Sequence, residues 1–122
     1  MSFFSQLSQW LPFGDVPEMD VNTVFQHLEN KNIQVVDVRS TLEWDKSHIK
    51  GAINLPITHF SADLVKQLQL NPDQFTIVIC LSAHRSIPAV RKLRQFGFKE
   101  VYQLKGGMLS WWKAKLPTLS TK

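Results

Sequence analysis

The sequence predicts an α/β fold with a central, mostly parallel β-sheet and helices on both of its faces. Short apolar segments of strand length alternate along the chain with segments whose apolar residues recur at helical spacing. One strand segment, Thr76–Ile79, is a continuous β-branched run, which is typical of a strand buried on both faces of a parallel sheet. The chain of 122 residues is long enough for one core, so we expect one domain.

The first half of the chain predicts one helix, one helical turn and two strands. Asp20 is placed to cap the helix, which ends at residues 30–32. Its apolar positions follow the 3.6-residue period: Val21, Val24, Phe25 and Leu28. Residues 33–38 are a β-branched run of strand length, and residues 41–46 have the pattern of a helical turn. A very short strand follows at residues 52–55 and is stopped by a proline.

The second half predicts three more helices around two strands. A helix lies within residues 61–70, before the strand at 76–79. Ser86 is placed to cap the next helix, with Pro88 in its first turn and Gly97 after its end. A strand, a tight turn and a last helix complete the chain: residues 101–104, Gly106–Gly107 and residues 108–114.

The ends of the chain are expected to lie outside the domain proper. We assign residues 1–15 to an N-terminal arm or short helix, residues 16–118 to the domain and residues 119–122 to a C-terminal tail. The apolar residues of the arm fall on one helical face: Phe3, Phe4, Leu7, Trp10 and Leu11. We expect this face to pack on the domain, with a membrane-interface anchor, a dimer contact or a partner protein as the alternatives. The arm lacks the features of a signal peptide, and its lack of Lys and Arg argues against anionic lipid.

Composition narrows the class of protein further. The formal net charge is +4 and the basic residues are scattered, so small anions are expected as ligands before nucleic acid. No apolar run approaches the ~20 residues of a transmembrane helix. The single cysteine excludes an intrachain disulfide and fits a reducing compartment, and we expect a cytoplasmic protein.

The most informative segment is the loop that begins at this cysteine, Cys80. It directly follows the predicted central strand and leads into the helix at Ser86, and open α/β sheets bind ligands at the carboxyl ends of their strands. Loop amides and the positive helix end, with Arg85 and His84 adding charge, would bind an anion and favour the thiolate. The segment therefore predicts a nucleophile beside an anion-binding loop, with a buried, inert cysteine as the alternative.

Several motifs, in order along the chain, resemble those of single-domain rhodaneses. They run from about Val16 to Pro117 and are specific only together: Asp37-Val38-Arg39, Glu43-Trp44, His48-Ile49-x-Gly51-Ala52-Ile53-Asn54-Leu55-Pro56, Cys80-x-x-x-x-Arg85-Ser86, Gly97-Phe98, Gly106-Gly107 and Trp111. The resemblance implies an α/β domain around a parallel sheet. It also implies transfer of a sulfane sulfur through a cysteine persulfide.

Carried onto this sequence, the resemblance makes Cys80 the catalytic residue. It would take sulfur from thiosulfate or a related small anionic donor and give it to cyanide or a thiol, and a protein donor or acceptor is also compatible. The substrate-binding residues implied are those of the loop: Leu81, Ser82, Ala83, His84, Arg85 and Ser86. No organic cofactor is implied, and the four histidines and one cysteine show no metal-ligand spacing.

The remaining polar motif residues are expected to have structural roles. An ion pair between Arg39 and Glu43 would follow from i,i+4 spacing if that turn is helical. His48 is expected to be a hydrogen-bonded scaffold histidine, and Asp37 is likewise expected to have a structural role. Where the family commonly has glycine, this chain has Ala83, and a positive φ there would cost on the order of 1 kcal/mol.

Two alternatives to sulfurtransferase activity remain open from the sequence. Dual-specificity phosphatases of the cell cycle use a related fold, but their anion loop has one residue more between Cys and Arg than the four found here. The smaller ring suits sulfur better than phosphate. A sulfur carrier or interaction domain with little thiosulfate turnover is the second alternative.

Overall fold

A computed structural model describes residues 14–121, which form an α/β structure around one five-stranded sheet. The strands are β1 (Glu18–Met19), β2 (Ile33–Asp37), β3 (Ile53–Asn54), β4 (Phe75–Ile79) and β5 (Val101–Leu104). All four strand pairings are parallel, in the order β1-β5-β4-β2-β3. The helices are α1 (Val21–Glu29), α2 (Thr41–Lys46), α3 (Ala62–Gln67), α4 (Ser86–Gln95) and α5 (Gly107–Lys113), with a 3-10 turn at Ile57–His59.

The core lies on both faces of the sheet because successive side chains of each strand point to opposite sides. In β4, Val78 faces α3 and α4, whereas Ile77 and Ile79 face α1 and α5. Cys80 lies two residues after Val78, on the same side of the sheet, and belongs to the same core cluster. The predicted fold class, with helices on both faces of a parallel sheet, is confirmed.

Most predicted elements are present, with some shifts at their ends. Asp20 caps α1 as predicted, its side chain accepting from the Thr23 N–H at 2.8 Å. The strand predicted at 52–55 is only two residues long, and the helix predicted at 61–70 spans six. The predicted elements did not include β1, whose two residues pair with β5 at one edge of the sheet.

The ends of the chain are described only in part. The predicted amphipathic arm falls almost entirely on residues 1–13, which lie outside the described residues. Residues 119–121 contact the domain: Leu119 forms an antiparallel bridge with His48, and the Thr121 N–H donates to the Asp45 carbonyl at 2.9 Å. Within residues 14–121, no helix is long and apolar enough to cross a membrane.

Candidate active site

The cysteine loop joins the carboxyl end of β4 to the amino end of α4, as the sequence predicts. Cys80 follows Ile79, the last residue of β4, and is itself only 1 % exposed. The residues between it and Ser86 are half-buried or exposed. The thiol is free and buried beneath this partly exposed loop.

Two groups contact the sulfur from different sides. The backbone N–H of His84 donates to Cys80 Sγ at 3.1 Å, which shows that the loop curls its chain around the sulfur. The Ser86 hydroxyl lies 3.6 Å from Sγ at the start of α4. The amino end of this helix brings partial positive charge to the same region. Negative charge on the sulfur is therefore stabilised by the His84 N–H and by the amino end of α4.

Ser86 does not cap α4, so that prediction was wrong. The capping position is occupied by Arg85, which makes no side-chain cap hydrogen bond. Ser86 is the first helical residue and is fully buried, and its hydroxyl donates to Gln103 Oε1 at 2.6 Å. The hydroxyl is directed toward β5 because a buried amide oxygen there needs a donor, so it is not available to the first turn of its own helix.

The backbone of the loop is held in an uncommon conformation. Ala83 has a φ of 68°, so the condition considered for this position, a positive φ, holds in the structure. On the other side, the Met108 N–H donates to the Cys80 carbonyl at 2.9 Å and the Leu109 N–H to the Leu81 carbonyl at 3.0 Å. Gly107 makes this approach possible, because a Cβ there would lie 2.5 Å from both carbonyl oxygens. The start of α5 thus supports the loop.

Arg85 is fixed by an ion pair with Glu43 rather than pointing freely from the loop. Its two terminal nitrogens donate to the two carboxylate oxygens at 2.7 and 2.9 Å. These hydrogen bonds lower the pKa of Glu43 to about 2, against a smaller opposing effect of burial. In turn the carboxylate raises the pKa of Arg85, which stays charged beside the sulfur.

The predicted ion pair between Arg39 and Glu43 is wrong. Helix α2 begins only at Thr41, with Ser40 as its cap and Glu43 completing a capping box, so Arg39 lies before the helix and i,i+4 geometry does not apply. The Arg39 guanidinium instead binds Asp37, with Nη2 donating at 2.8 Å. Both side chains are buried, which confirms a structural role for this pair.

The other loop and motif side chains have separate partners. The His84 ring is exposed and hydrogen-bonds with the Ser82 hydroxyl at 2.9 Å. His48 is buried, stacks on Trp44 at 3.8 Å between ring centroids and hydrogen-bonds through Nδ1 with the Trp44 carbonyl oxygen at 2.7 Å. The prediction of His48 as a scaffold histidine is confirmed.

The structure adds two polar residues behind the sulfur that the sequence did not single out. Gln103 on β5 accepts from Ser86, and its amide nitrogen donates to Glu18 Oε2 at 2.9 Å. Glu18 and Gln103 are 85 positions apart in the chain. A polar glutamine within the otherwise apolar β5 was the available signal, since a buried amide requires partners.

Taken together, the geometry provides a buried thiol, a backbone donor to its sulfur and a fixed cation nearby. Such a site can stabilise an anion at the sulfur and support nucleophilic chemistry there. Among the described residues, no cluster of three or more His, Cys, Asp or Glu side chains could hold a metal ion.

Comparison with known proteins agrees with this geometry. Residues 20–114 match the rhodanese-like domain family. The chain is 33% identical to the thiosulfate sulfurtransferase GlpE of Shewanella oneidensis over 79% of its own length and 92% of that protein. It also resembles the solution NMR structure of the rhodanese-like domain of an Anabaena protein, with a TM-score of 0.76 at 28% identity, covering 87% of this chain and 80% of that one.

Other relatives are longer than this chain. It is 29% identical to the putative sulfur carrier protein YrkF of Bacillus subtilis, over 80% of its own length but 52% of that protein. The chain thus spans about half the length of some of the curated relatives that it matches.

Proposed function

This chain belongs to the rhodanese-like domain family, and on that premise we propose that it is a sulfurtransferase. It moves a sulfane sulfur from thiosulfate or a related anionic donor to cyanide or a thiol, through a persulfide on Cys80. The observation that carries the proposal is the His84 N–H directed at Cys80 Sγ at 3.1 Å, beside the amino end of α4. A lone thiol of this kind suits a reducing compartment such as the cytoplasm.

The first half-reaction loads the cysteine. The Cys80 thiolate attacks the outer sulfur of thiosulfate, a new S–S bond forms at Sγ, and the S–S bond of thiosulfate breaks. Its electron pair leaves with sulfite, and the negative charge now rests on the outer sulfur of the persulfide. Loop amides at residues 81–86 stabilise the bound donor and this charge, because fixed dipoles act strongly where water is excluded.

The second half-reaction removes the sulfur from the Cys80 persulfide. Cyanide or a thiolate attacks the outer sulfur, and the electron pair of the persulfide S–S bond returns to Cys80 as thiolate. With cyanide the product is thiocyanate. Neither half-reaction needs an oxidant or a reductant. In each, the nucleophile supplies the electron pair of the new bond, the sulfur moves as a neutral atom, and the leaving group keeps the electron pair of the broken bond.

Arg85 is proposed to attract the donor anion while Glu43 fixes its position. The guanidinium is about one third exposed, so one side of it still faces solvent at the loop. A bidentate ion pair holds the fork in a single orientation and lowers the entropy cost of donor binding. The ring of His84, an exposed residue of the same loop, adds a second hydrogen-bonding group for the donor.

A sulfur carrier with slow thiosulfate turnover is the second candidate. It is favoured by the 29% identity to a protein whose printed name is putative sulfur carrier. In that role the donor or acceptor is a protein persulfide or thiol, which must reach a sulfur that is almost fully buried. The two candidates share Cys80 and differ in the partner that loads it.

Steady-state thiocyanate production from thiosulfate and cyanide tests the proposal. The natural chain should turn over, Cys80→Ser should be inactive, and Arg85→Met should raise KM for thiosulfate by about tenfold because one donor contact to an anion is lost. Lys99→Met removes the same charge from an exposed ion pair and should leave KM unchanged. Fast loading from a protein persulfide with slow thiosulfate turnover would favour the carrier. Hydrolysis of an aryl phosphate without sulfur transfer would contradict both.

A further inference from the structure

A line of hydrogen bonds runs from the exposed Glu18 on the edge strand β1 to the buried cysteine. The Gln103 amide nitrogen donates to Glu18 Oε2 at 2.9 Å, and the Ser86 hydroxyl donates to Gln103 Oε1 at 2.6 Å. The Ser86 oxygen then lies 3.6 Å from Cys80 Sγ. Ser86 is fully buried and Gln103 is 4% exposed, so water does not compete for the bond between them. The bond from Gln103 to Glu18 is partly buried, because Glu18 itself is exposed.

The direction of each bond in this line is set by the carboxylate at its end. An ionised carboxylate only accepts, so it holds the NH₂ group of the Gln103 amide toward Glu18. The amide oxygen then faces Ser86 and also only accepts. The hydroxyl of Ser86 has a single proton, and that proton is used on Gln103. What Ser86 presents to the sulfur is therefore a lone pair.

We propose that Glu18 is a positioning residue that acts through Gln103 to keep the Ser86 hydroxyl turned away from the sulfur. The Cys80 thiol then donates its S–H to the Ser86 oxygen, whereas a thiolate faces a lone pair on that side. What this arrangement does for sulfur transfer rests on the proposed function. Loading with sulfur moves the negative charge from Sγ to the outer sulfur, away from the Ser86 oxygen, so the repulsion between this lone pair and the charge is smaller in the persulfide.

Two substitutions test the arrangement, and the first of them leaves the charge of the protein unchanged. Gln103→Met removes the acceptor for Ser86 and keeps the shape of the side chain, so the hydroxyl is free to donate to sulfur. Glu18→Gln removes the constraint that orients Gln103. Neither substitution changes a charged or titratable side chain of the loop or of its ion-pair partners: His84, Arg85, Glu43, Asp37 and Arg39. Glu100→Gln is the matched control, since it removes a carboxylate that accepts a hydrogen bond from the Tyr102 hydroxyl and is not part of this line.

The measurement is the pH profile of Cys80 alkylation by iodoacetamide, with circular dichroism and thermal unfolding as checks on folding. We expect both variants to move the profile to lower pH and to speed alkylation on its acidic limb about threefold, the effect of one weak hydrogen bond. Glu100→Gln should match the natural chain. Alkylation needs no sulfur donor, so failure of the proposed function would leave this result intact.

A double variant separates the relay from a direct effect of charge. If Glu18 acts through the relay, Glu18→Gln should add nothing in a Gln103→Met background, or in a Ser86→Ala background if Gln103→Met does not fold. The proposal is overturned if Glu18→Gln behaves like Glu100→Gln. It is equally overturned if the effect of Glu18→Gln persists in those backgrounds, because the carboxylate would then act on the sulfur through space.

Discussion

The ion pair between Arg85 and Glu43 makes the stability of the domain depend on acid in a predictable way. We consider Glu43→Gln, which keeps the size of the side chain and removes its charge. Glu43 accepts two hydrogen bonds from Arg85 and one from the Ser40 N–H, and its pKa is lowered from 4.5 to about 2. For a fully buried group such a shift would correspond to about 3 kcal/mol.

Solvent reduces that value here. The Arg85 and Glu43 side chains are 35% and 32% exposed, so water screens their attraction. We therefore expect Glu43→Gln to lower the free energy of unfolding by about 1 kcal/mol at pH 7. Because the folded-state pKa is depressed, this stabilisation is complete above the unfolded value of 4.5 and is lost as the pH falls toward about 2.

Urea unfolding of the natural chain and of Glu43→Gln at pH 7, 4 and 2.5 measures the difference directly. The difference in the free energy of unfolding between the two proteins should be largest at pH 7 and should become smaller at each lower pH. Asp73→Asn is the matched control: it breaks an ion pair of similar length whose side chains are more than 70% exposed, and should change little at any pH. A gap that is absent at pH 7, or equally large at pH 2.5, would refute the reasoning.

Two further predictions concern the backbone and the core. Ala83→Gly should raise the free energy of unfolding in urea by about 1 kcal/mol, because glycine tolerates the φ of 68°. Lys31→Gly, at a φ of 56°, should give a similar gain without altering sulfur transfer. A loss of stability in Ala83→Gly would contradict the first prediction. Arg39→Met should destabilise by about 3–5 kcal/mol because it leaves a buried carboxylate unpaired, whereas Lys99→Met, in an exposed pair, should cost under about 1 kcal/mol. If Arg39→Met and Lys99→Met lowered the free energy of unfolding equally, the difference in burial between the two ion pairs would be contradicted.

The parts of the fold that sequence reasoning predicted are those in which the cause is local. The apolar run at Thr76–Ile79, the position of Cys80 after it and the cap at Asp20 are all readable within a few residues. The family resemblance marked Ala83 as a departure from glycine, and the structure shows a positive φ at that position.

The parts that were missed or wrong depend on partners far along the chain. The Arg39 prediction assumed that the helix extended back to that residue, but the capping box at Ser40 starts it later and frees Glu43 for Arg85. The Ser86 cap prediction did not anticipate the buried amide of Gln103. A polar residue chooses among several good partners, and the sheet order that decides the choice is not visible in any local window.

The central claim is that Cys80 carries the transferred sulfur, and the intact mass of the protein tests it most directly. The reduced natural chain and Cys80→Ser would be weighed before and after thiosulfate, and again after cyanide. We predict that the natural chain gains the mass of one sulfur atom and loses it to cyanide, while Cys80→Ser gains nothing. No gain on a folded natural chain, or an equal gain on Cys80→Ser, would contradict the claim.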